Sequence, residues 1–400
     1  MTKRNPKPGK ILFAGGGTGG HVFPMIAVAE AVLQLSRAEV LFVGTERGLE
    51  AKIVPERGYP IRFMRVLPLR GGGVAGAAKG LWRAAAAVRE ARALLLVEQP
   101  SIVFSAGGYA AGPISLAART LGIPVVLLEP NSVAGLANRL MAPFVERAYT
   151  AFERCERHFS RPRVLRLGVP IRSGFLRAEY SRAVGGAGLR VLVMGGSQGA
   201  RTLNEVVPQA LARVAGEVEV RHQCGRDSVS EVERSYDAFG MSGRVQVLPF
   251  LDDMAGALSW SQLVISRSGA SAVSEICAVG RPSLLVPFPF AAGDHQRYNA
   301  EALSLAGAAV SMLNAEATPD AIGALVVDFL RNPARLAQMA ERAAELGRPN
   351  AALEIAADLL SLAGIPAGEP GEPSETPENL ANRAEGRDND GPVFRFSEVR

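Results

Sequence analysis

The sequence predicts an α/β fold of two doubly wound domains, each built on a parallel sheet, that face each other across a cleft. Short apolar runs alternate with helical patterns along most of the chain, which is typical of parallel sheets covered by helices. A glycine-rich turn follows the first apolar run at residues 15–20, and a similar turn follows a run in mid-chain at residues 195–199. A chain of 400 residues suits two domains of ordinary size.

Each half of the chain contains six apolar runs that predict strands. In the first half they cover residues 11–14, 40–43, 61–66, 102–104, 125–128 and 148–152, and helical patterns occupy residues 27–35, 80–96 and 114–120. In the second half they cover residues 189–194, 218–223, 245–250, 263–266, 283–286 and 309–313. Two further helical patterns follow at residues 333–346 and 351–362, the first opened by Asn332 and Pro333.

Composition changes divide the chain into four parts. A basic tail of residues 1–9 precedes a first domain of residues 10–170, and the Gly/Pro segment 167–172 is suited to a hinge. The second domain covers residues 171–362, with its last helix expected to return toward the first domain. Residues 363–400 are acidic and rich in Pro and Gly, so we expect a disordered tail.

The positive charge lies in the first half. Residues 1–170 carry 23 Lys and Arg against 11 Asp and Glu, whereas residues 171–362 carry 17 against 20. This asymmetry predicts an anionic partner for the first domain, either an anionic membrane surface or a diphosphate-bearing substrate. Because the chain has no aromatic stacking platform or recognition-helix pattern, nucleic acid is not expected. Its three widely spaced cysteines indicate reduced thiols, and no signal peptide or membrane span is apparent, so a cytoplasmic protein is predicted.

The first glycine-rich turn predicts a cradle for an anion, because glycines at the end of a strand expose backbone N–H groups. Gly16, Gly17, Thr18, Gly19 and Gly20 form it. His21 follows on the first turn of the next helix, where the helix dipole disfavours imidazolium, and is therefore predicted to be a general base.

Two loops after later strands are expected at the same edge of the sheet. Gly107, Gly108 and Tyr109 follow the fourth strand, and Glu129 and Asn131 follow the fifth. Glu129 is predicted to orient or charge-match His21, and Asn131 to contact a sugar hydroxyl.

The second domain offers polar groups for a nucleotide sugar. Ser197 and Asn204 belong to the second glycine-rich turn, and Arg172 from the hinge is predicted to bind a diphosphate. Leu251 is expected to form an apolar wall for a base. Asp252 and Asp253 precede a helical pattern, so a helix cap is favoured over a metal site.

The segment after the strand at 263–266 predicts a third small-residue turn. Ala270, Ser271, Ala272, Val273 and Ser274 lead to Glu275, placed where a carboxylate can accept from both ribose hydroxyls. Downstream, the polar loop that contains Asp294, His295, Gln296 and Asn299 is expected to contact sugar and phosphate.

A basic amphipathic helix near residues 80–96 has two interpretations. Leu81, Trp82, Arg83, Arg89 and Arg92 suit either a surface helix that packs on the sheet or a patch that binds an anionic membrane.

These spaced motifs resemble those of the glycosyltransferase family 28 enzymes that convert lipid I to lipid II. The resemblance covers roughly residues 10–360 and depends on several spaced motifs. They are GGGTGGH at 15–21, GGY at 107–109, the Glu129/Asn131 loop, GGSQGAxxLN at 195–204, FLDDM at 250–254, RSGA…SE at 267–275 and DHQxxNA at 294–300. The family usually has Gln where this chain has Pro130.

The resemblance implies a GT-B fold of two Rossmann-like domains. It also implies an inverting, metal-independent hexosyltransferase that moves GlcNAc from UDP-GlcNAc to the C4 hydroxyl of undecaprenyl-pyrophosphoryl-MurNAc-pentapeptide. The enzyme would lie peripherally on the cytoplasmic face of the cell membrane, and other cell-wall synthesis proteins are candidate partners.

The resemblance also assigns roles to individual residues. His21 and Glu129 would be catalytic. The donor would contact Thr18, Gly19, Gly20, Asn131, Arg172, Ser197, Leu251, Ala270, Ser271, Ala272, Val273, Ser274, Glu275 and Gln296, and the acceptor would contact Gly16, Gly17, Tyr109 and Asn204. No residue is assigned to a metal.

Three alternatives remain open from the sequence. A UDP-GlcNAc 2-epimerase shares the architecture but needs no basic, lipid-facing domain. A GT-B glycosyltransferase that acts on another lipid acceptor would use the same donor site. A non-catalytic nucleotide-sugar-binding module would tolerate the loss of His21.

Overall fold

The structure is a computed structural model that describes residues 9–66, 73–159, 163–181, 188–196 and 199–368, with the backbone alone for residues 73–82. Residues 369–400, the larger part of the predicted acidic tail, lie outside the described residues. The side chains of the predicted membrane-facing residues Leu81 and Trp82 also lie outside them.

The first domain contains a seven-stranded parallel sheet in the described residues, in the order β3-β2-β1-β4-β5-β6-β7. Its strands are β1 Lys10–Gly15, β2 Glu39–Gly44, β3 Ile61–Phe63, β4 Ile102–Gly107, β5 Val125–Glu129, β6 Arg147–Thr150 and β7 Arg163–Arg166. Its helices are α1 Gly19–Leu35, α2 Glu50–Glu56, α3 Gly73–Glu98, α4 Ala111–Thr120, α5 Leu136–Met141 and α6 Glu153–Glu156.

The second domain contains a six-stranded parallel sheet in the described residues, in the order β10-β9-β8-β11-β12-β13. Its strands are β8 Leu189–Met194, β9 Val218–Gln223, β10 Val245–Leu248, β11 Leu263–Ser266, β12 Ser283–Leu285 and β13 Ala309–Ser311. The helices that follow residue 200 are α7 Arg201–Ala212, α8 Val229–Ala238, α9 Met254–Trp260, α10 Ala270–Val279, α11 His295–Leu305, α12 Pro319–Arg331, α13 Pro333–Leu346 and α14 Ala351–Ala363.

Strand β1 is buried on both faces, which explains its continuous apolar run. Ile11 and Phe13 pack with α1 on one side of the sheet, and Leu12 and Ala14 pack on the other side with residues of α3 and α4. The alternation follows from the two-residue period of a strand. The glycine-rich turn begins at the carboxyl end of β1 and leads into α1.

Helix α14 belongs to the core of the first domain although it follows the second domain in sequence. Ile355 and Leu359 pack in the same cluster as α1, and Tyr149 Oη of β6 donates to Asp358 Oδ2 at 2.7 Å. The chain therefore crosses between the domains twice, once after β7 and once before α14.

The predicted two-domain architecture is confirmed, and the structure adds elements that the sequence pattern did not indicate. Strand β7 was not predicted, because Arg163–Arg166 has only two apolar residues between two arginines. Helix α1 begins at Gly19 rather than at residue 27, because its glycine-rich first turn and Pro24 disguise the helical pattern. Within the described residues, no helix is both long enough and apolar enough to cross a membrane.

Candidate active site between the two domains

The first glycine-rich turn, residues 15–18, is already bonded to a carboxylate of the protein itself. Glu50 is buried at the start of α2, and its Oε2 accepts from the Gly17 backbone N–H at 2.6 Å. Its Oε1 accepts from the Thr45 N–H at 2.8 Å and from Thr45 Oγ1 at 3.0 Å. The Gly17 N–H is therefore not free for a phosphate, and anion binding by the rest of the turn stays a prediction.

His21 is held by the same turn. Its Nδ1 lies 3.0 Å from the Gly16 carbonyl oxygen, which can only accept, so Nδ1 carries the hydrogen in this bond. In the neutral ring Nε2 is then the nitrogen with a free lone pair. A Cβ at Gly107 would lie 3.4 Å from Nε2, so the glycine at this point leaves room beside the reactive nitrogen.

Glu129 organises its own loop. Its Oε1 accepts from Asn131 N at 3.1 Å and from Asn131 Nδ2 at 3.3 Å, while Oε2 accepts from Gly135 N at 2.8 Å and from Asn138 Nδ2 at 3.0 Å. The prediction that Glu129 orients His21 is corrected, since the described hydrogen bonds of the carboxylate all go to the 131–138 segment. Glu129 therefore positions this loop and does not bind the imidazole.

The Glu129 loop also joins the two domains. Asn299 of α11 accepts from Ser132 N at 2.9 Å through Oδ1, and its Nδ2 donates to Asn131 Oδ1 at 3.3 Å and to Ser268 O at 3.1 Å. Asn131, predicted to contact the donor, thus has its amide engaged with Glu129 and Asn299. One buried amide group fixes the loop of one domain against the turn before α10 of the other.

Arg172 and Glu275 form an ion pair at the cleft. Arg172 Nη2 lies 3.7 Å from Glu275 Oε1, and the guanidinium lies 5.6 Å from the ring centroid of Phe23. Burial raises the pKa of Glu275 to about 7, although Arg172 opposes the rise. Phe23 lies on α1, two residues after His21, so the Arg172–Glu275 pair packs against the helix that carries His21.

The turn before α10 is built as predicted from small residues. Helix α10 begins at Ala270 after Gly269 and carries Ser271, Ala272, Val273 and Ser274 before Glu275. The Ser271 hydroxyl is buried and has no hydrogen-bond partner. The N-terminus of a helix of this length carries a partial positive charge, which suits an anionic ligand.

Other predicted donor contacts lie around this helix. Leu251 is nearly buried and packs in the same cluster as Val273. Gln296 accepts from Phe288 N at 3.0 Å through its side chain, and its carbonyl accepts from Ser268 Oγ at 2.8 Å. Asp253 accepts from Gly256 N at 2.8 Å, which confirms the helix cap that was favoured over a metal site.

The second glycine-rich turn is fastened by Gln223. Gly196 N donates to Gln223 Oε1 at 3.0 Å, and Gln223 Nε2 donates back to Gly196 O at 2.9 Å. Ser197, predicted to bind the diphosphate, lies outside the described residues.

Asn204 is placed inside the second domain. Its Nδ2 donates to Cys224 O at 2.9 Å, and its Oδ1 lies 3.2 Å from His222 Nε2. The predicted acceptor contact of Asn204 is therefore corrected, because both ends of the amide are used in a buried network that also contains Tyr236.

The remaining predicted acceptor residues differ in exposure, since Gly16 is buried whereas Gly17 and Tyr109 are exposed. Tyr109 is 61% exposed at the end of β4, and Gly108 packs so closely on Gly16 that a Cβ would lie 2.6 Å from the Gly16 oxygen. Thr18 precedes α1 and accepts from His21 N at 3.1 Å through its carbonyl, and Gly19 and Gly20 form the first turn of that helix. Within the described ranges, no group of three or more His, Cys, Asp or Glu is arranged to hold a metal ion.

The sequence analysis missed Glu50, Asn138 and Gln223. These side chains hydrogen-bond the first glycine-rich turn, Glu129 and the second glycine-rich turn, respectively. For Glu50 the sequence did offer a signal, because a Cβ at either Gly44 or Gly48 would overlap the space that the Glu50 carboxylate fills. Glycines just before an acidic residue can therefore mark a buried carboxylate. Asn299 was recognised as polar and close to the site, but not as the link between domains.

Comparison with known proteins places this geometry in a family. The glycosyltransferase family 28 N-terminal domain matches residues 11–150, and the family's C-terminal domain matches residues 190–355. A protein of Sorangium cellulosum (strain So ce56) is 50% identical over 363 residues, which cover 89% of each chain. The chain belongs to glycosyltransferase family 28.

Relatives of this family-28 chain carry one name. The Sorangium protein and a protein of Anaeromyxobacter sp. (strain K), 41% identical over 92% of this chain and 98% of its own, are both called UDP-N-acetylglucosamine--N-acetylmuramyl-(pentapeptide) pyrophosphoryl-undecaprenol N-acetylglucosamine transferase. The crystal structure of MurG from Acinetobacter baumannii has 32% identity and a TM-score of 0.76, over 88% of this chain and 99% of that chain.

Proposed function

We propose that this family-28 enzyme transfers GlcNAc from UDP-GlcNAc to the C4 hydroxyl of undecaprenyl-pyrophosphoryl-MurNAc-pentapeptide, converting lipid I to lipid II in peptidoglycan synthesis. The observation that carries the proposal is the packing of the Arg172–Glu275 pair on the helix of His21, where the guanidinium lies 5.6 Å from the Phe23 ring centroid. The names of the 50% and 41% identical relatives support the same substrates.

His21 is the general base of the proposed reaction. Its Nε2 takes the proton from the acceptor C4 hydroxyl while that oxygen forms a bond to the anomeric carbon of GlcNAc. The bond from the anomeric carbon to the β-phosphate oxygen breaks, and its electron pair leaves with UDP. A single displacement of this kind inverts the configuration, and it requires the base to lie on the side of the sugar opposite UDP.

The second domain holds the donor. Glu275 accepts from the ribose hydroxyls, Leu251 contacts the uracil, and Gln296 contacts the GlcNAc. Arg172, Ser197 and the N-terminus of α10 meet the charge that develops on UDP. Because these groups supply positive potential, the proposed reaction needs no metal ion, and turnover should survive an excess of EDTA.

We propose further that the first domain binds the cytoplasmic face of the membrane peripherally. Residues 1–170 carry a net charge of +12, and Arg89 and Arg92 are exposed on α3. Leu136 and Leu140, one turn apart on α5, are 71% and 64% exposed and together form an apolar patch that suits a membrane interface. Sedimentation with anionic vesicles, but not with neutral ones, is the expected result.

The decisive experiment incubates the purified protein with UDP-GlcNAc and a lipid I analogue and follows formation of the β-linked disaccharide. We expect His21→Ala to lose turnover by about 100-fold or more while UDP still binds. Glu275→Ala should mainly weaken UDP binding. Release of N-acetylmannosamine from UDP-GlcNAc without an acceptor would favour an epimerase, and full turnover by His21→Ala would contradict the base.

A further inference from the structure

A single peptide unit joins Glu50 to His21. The peptide between Gly16 and Gly17 donates its N–H to Glu50 Oε2 at 2.6 Å, and the carbonyl of the same peptide faces His21 Nδ1 at 3.0 Å. The carboxylate, the peptide and the imidazole are thus three members of one hydrogen-bonded chain.

We propose that Glu50 is the positioning residue of the base, acting on His21 through the Gly16–Gly17 peptide. This inference rests on the proposed function, because it assigns to Glu50 a role in supporting the base of that reaction. Glu129, which the sequence suggested for this task, bonds to its own loop instead.

The Glu50 carboxylate is enclosed by hydrogen-bond donors and by glycines. Thr45 donates to Oε1 through both its backbone N–H and its hydroxyl, so each oxygen of the buried group has a donor. A Cβ at Gly16, Gly44 or Gly48 would overlap the Glu50 side chain. Because the carboxylate is confined in this way, the direction of the Gly16–Gly17 peptide is fixed with it.

The chain has two chemical consequences. A carboxylate that accepts the peptide N–H polarises that peptide, so its carbonyl becomes a better acceptor for the Nδ1–H of His21. This bond holds the ring in the tautomer whose Nε2 lone pair points away from the turn, and it stabilises the imidazolium that forms when Nε2 takes the proton. A carboxylate in direct contact with the histidine would do the same, and here the peptide transmits the effect.

The test uses Glu50→Gln in the full-length protein with UDP-GlcNAc and a lipid I analogue. Glutamine keeps the shape but removes the charge, so kcat should fall about 10- to 100-fold while the donor KM changes less than about twofold. The control is Glu56→Gln on the same helix, where the exposed carboxylate pairs with Lys52. Thermal unfolding and UDP affinity, compared between the variants, show whether the fold and the donor site survive.

A double-mutant cycle separates positioning from a general structural effect. In a His21→Ala background, Glu50→Gln should lower the residual rate less than about twofold, because the group through which it acts is gone. An equal loss with and without His21, or wild-type kcat in Glu50→Gln, would overturn the inference while leaving His21 as the base. Full turnover by His21→Ala would overturn both proposals.

A measurement on the unmutated protein covers the case in which Glu50→Gln does not fold. With ¹⁵N-labelled histidine above pH 8, the His21 ring should be found with hydrogen on Nδ1. Predominance of the Nε2–H tautomer would refute the chain, because the Gly16 carbonyl could not then accept from Nδ1.

Discussion

Arg172 Nη2 lies 3.7 Å from Glu275 Oε1, with the guanidinium over the ring of Phe23 from the opposite domain. This pair connects the helix that carries His21 with the helix that carries the proposed ribose-binding carboxylate. Its electrostatics make the donor site sensitive to pH near neutrality, since burial raises the pKa of Glu275 to about 7.

UDP affinity should therefore increase from pH 5.5 to pH 8. The ionised carboxylate accepts two ribose hydroxyls, whereas the protonated form accepts less well. The free energy of unfolding should change with pH in the opposite direction. The raised pKa of Glu275 contributes stability that is fully present below pH 4.5 and is lost as the pH rises through about 7. Isothermal titration of UDP across the range measures the first effect.

Glu275→Gln should bind UDP more weakly at pH 8 and with a flatter dependence on pH than the wild type. Arg172→Gln should move the increase in affinity to higher pH, since it removes the charge that lowers the pKa of Glu275. A wild-type pH dependence in Glu275→Gln would assign the titration to another group.

His222 should make the second domain sensitive to acid. The ring is fully buried between Tyr236 and Asn204, and burial lowers its pKa from 6.5 to about 3. Its contribution to stability is present above pH 6.5 and is lost as the pH falls toward 3. We expect His222→Gln to reduce the slope of unfolding free energy against pH in this window by up to about 1.4 kcal/mol per pH unit.

Urea unfolding between pH 4 and pH 7 measures that slope. His295→Gln, at the first residue of α11, is the matched substitution of a histidine outside the buried network. If His222→Gln kept the wild-type slope, the acid sensitivity would arise elsewhere.

Asn299→Leu should loosen the contact between the domains. The variant removes the partners of Ser132 N, Asn131 Oδ1 and Ser268 O in a buried setting, at a cost of about 2–4 kcal/mol. We expect a lower melting temperature and a reduced kcat, because the Glu129 loop is no longer fixed against the turn before α10. Asn332→Leu is the control, since this exposed amide donates only to neighbouring Asp328.

Gly16→Ala should destabilise the first glycine-rich turn more than Gly17→Ala. Both glycines have φ values that side chains rarely adopt, +143° and +89°. A Cβ at Gly16 would also overlap the Glu50 carboxylate, whereas a Cβ at Gly17 meets no atom within 4 Å. We expect about 1–3 kcal/mol lost at Gly17 and more at Gly16 in chemical unfolding. Equal losses would show that Glu50 moves aside without cost.

Most of the fold could be predicted because its signals are local. The apolar run Ile11–Ala14, bounded by a glycine-rich turn, predicts a strand buried on both faces, and the structure has that strand. The segment from Ala270 to Glu275 likewise reads as the start of a helix in the sequence itself. Strand β7 was not predicted, because its pairing with β6, rather than an apolar pattern of its own, makes it a strand.

The sequence by itself determined the two parallel sheets, the three small-residue turns and the positions of His21 and Glu275 on the helices that follow two of these turns. Only the tertiary structure decided which partners these turns have. The Gly17 N–H is bonded to a carboxylate 33 residues away, and Asn131 to an amide 168 residues away. A backbone N–H has the same local pattern whether a phosphate or a distant Glu50 accepts from it, so its partner follows from packing and not from spacing.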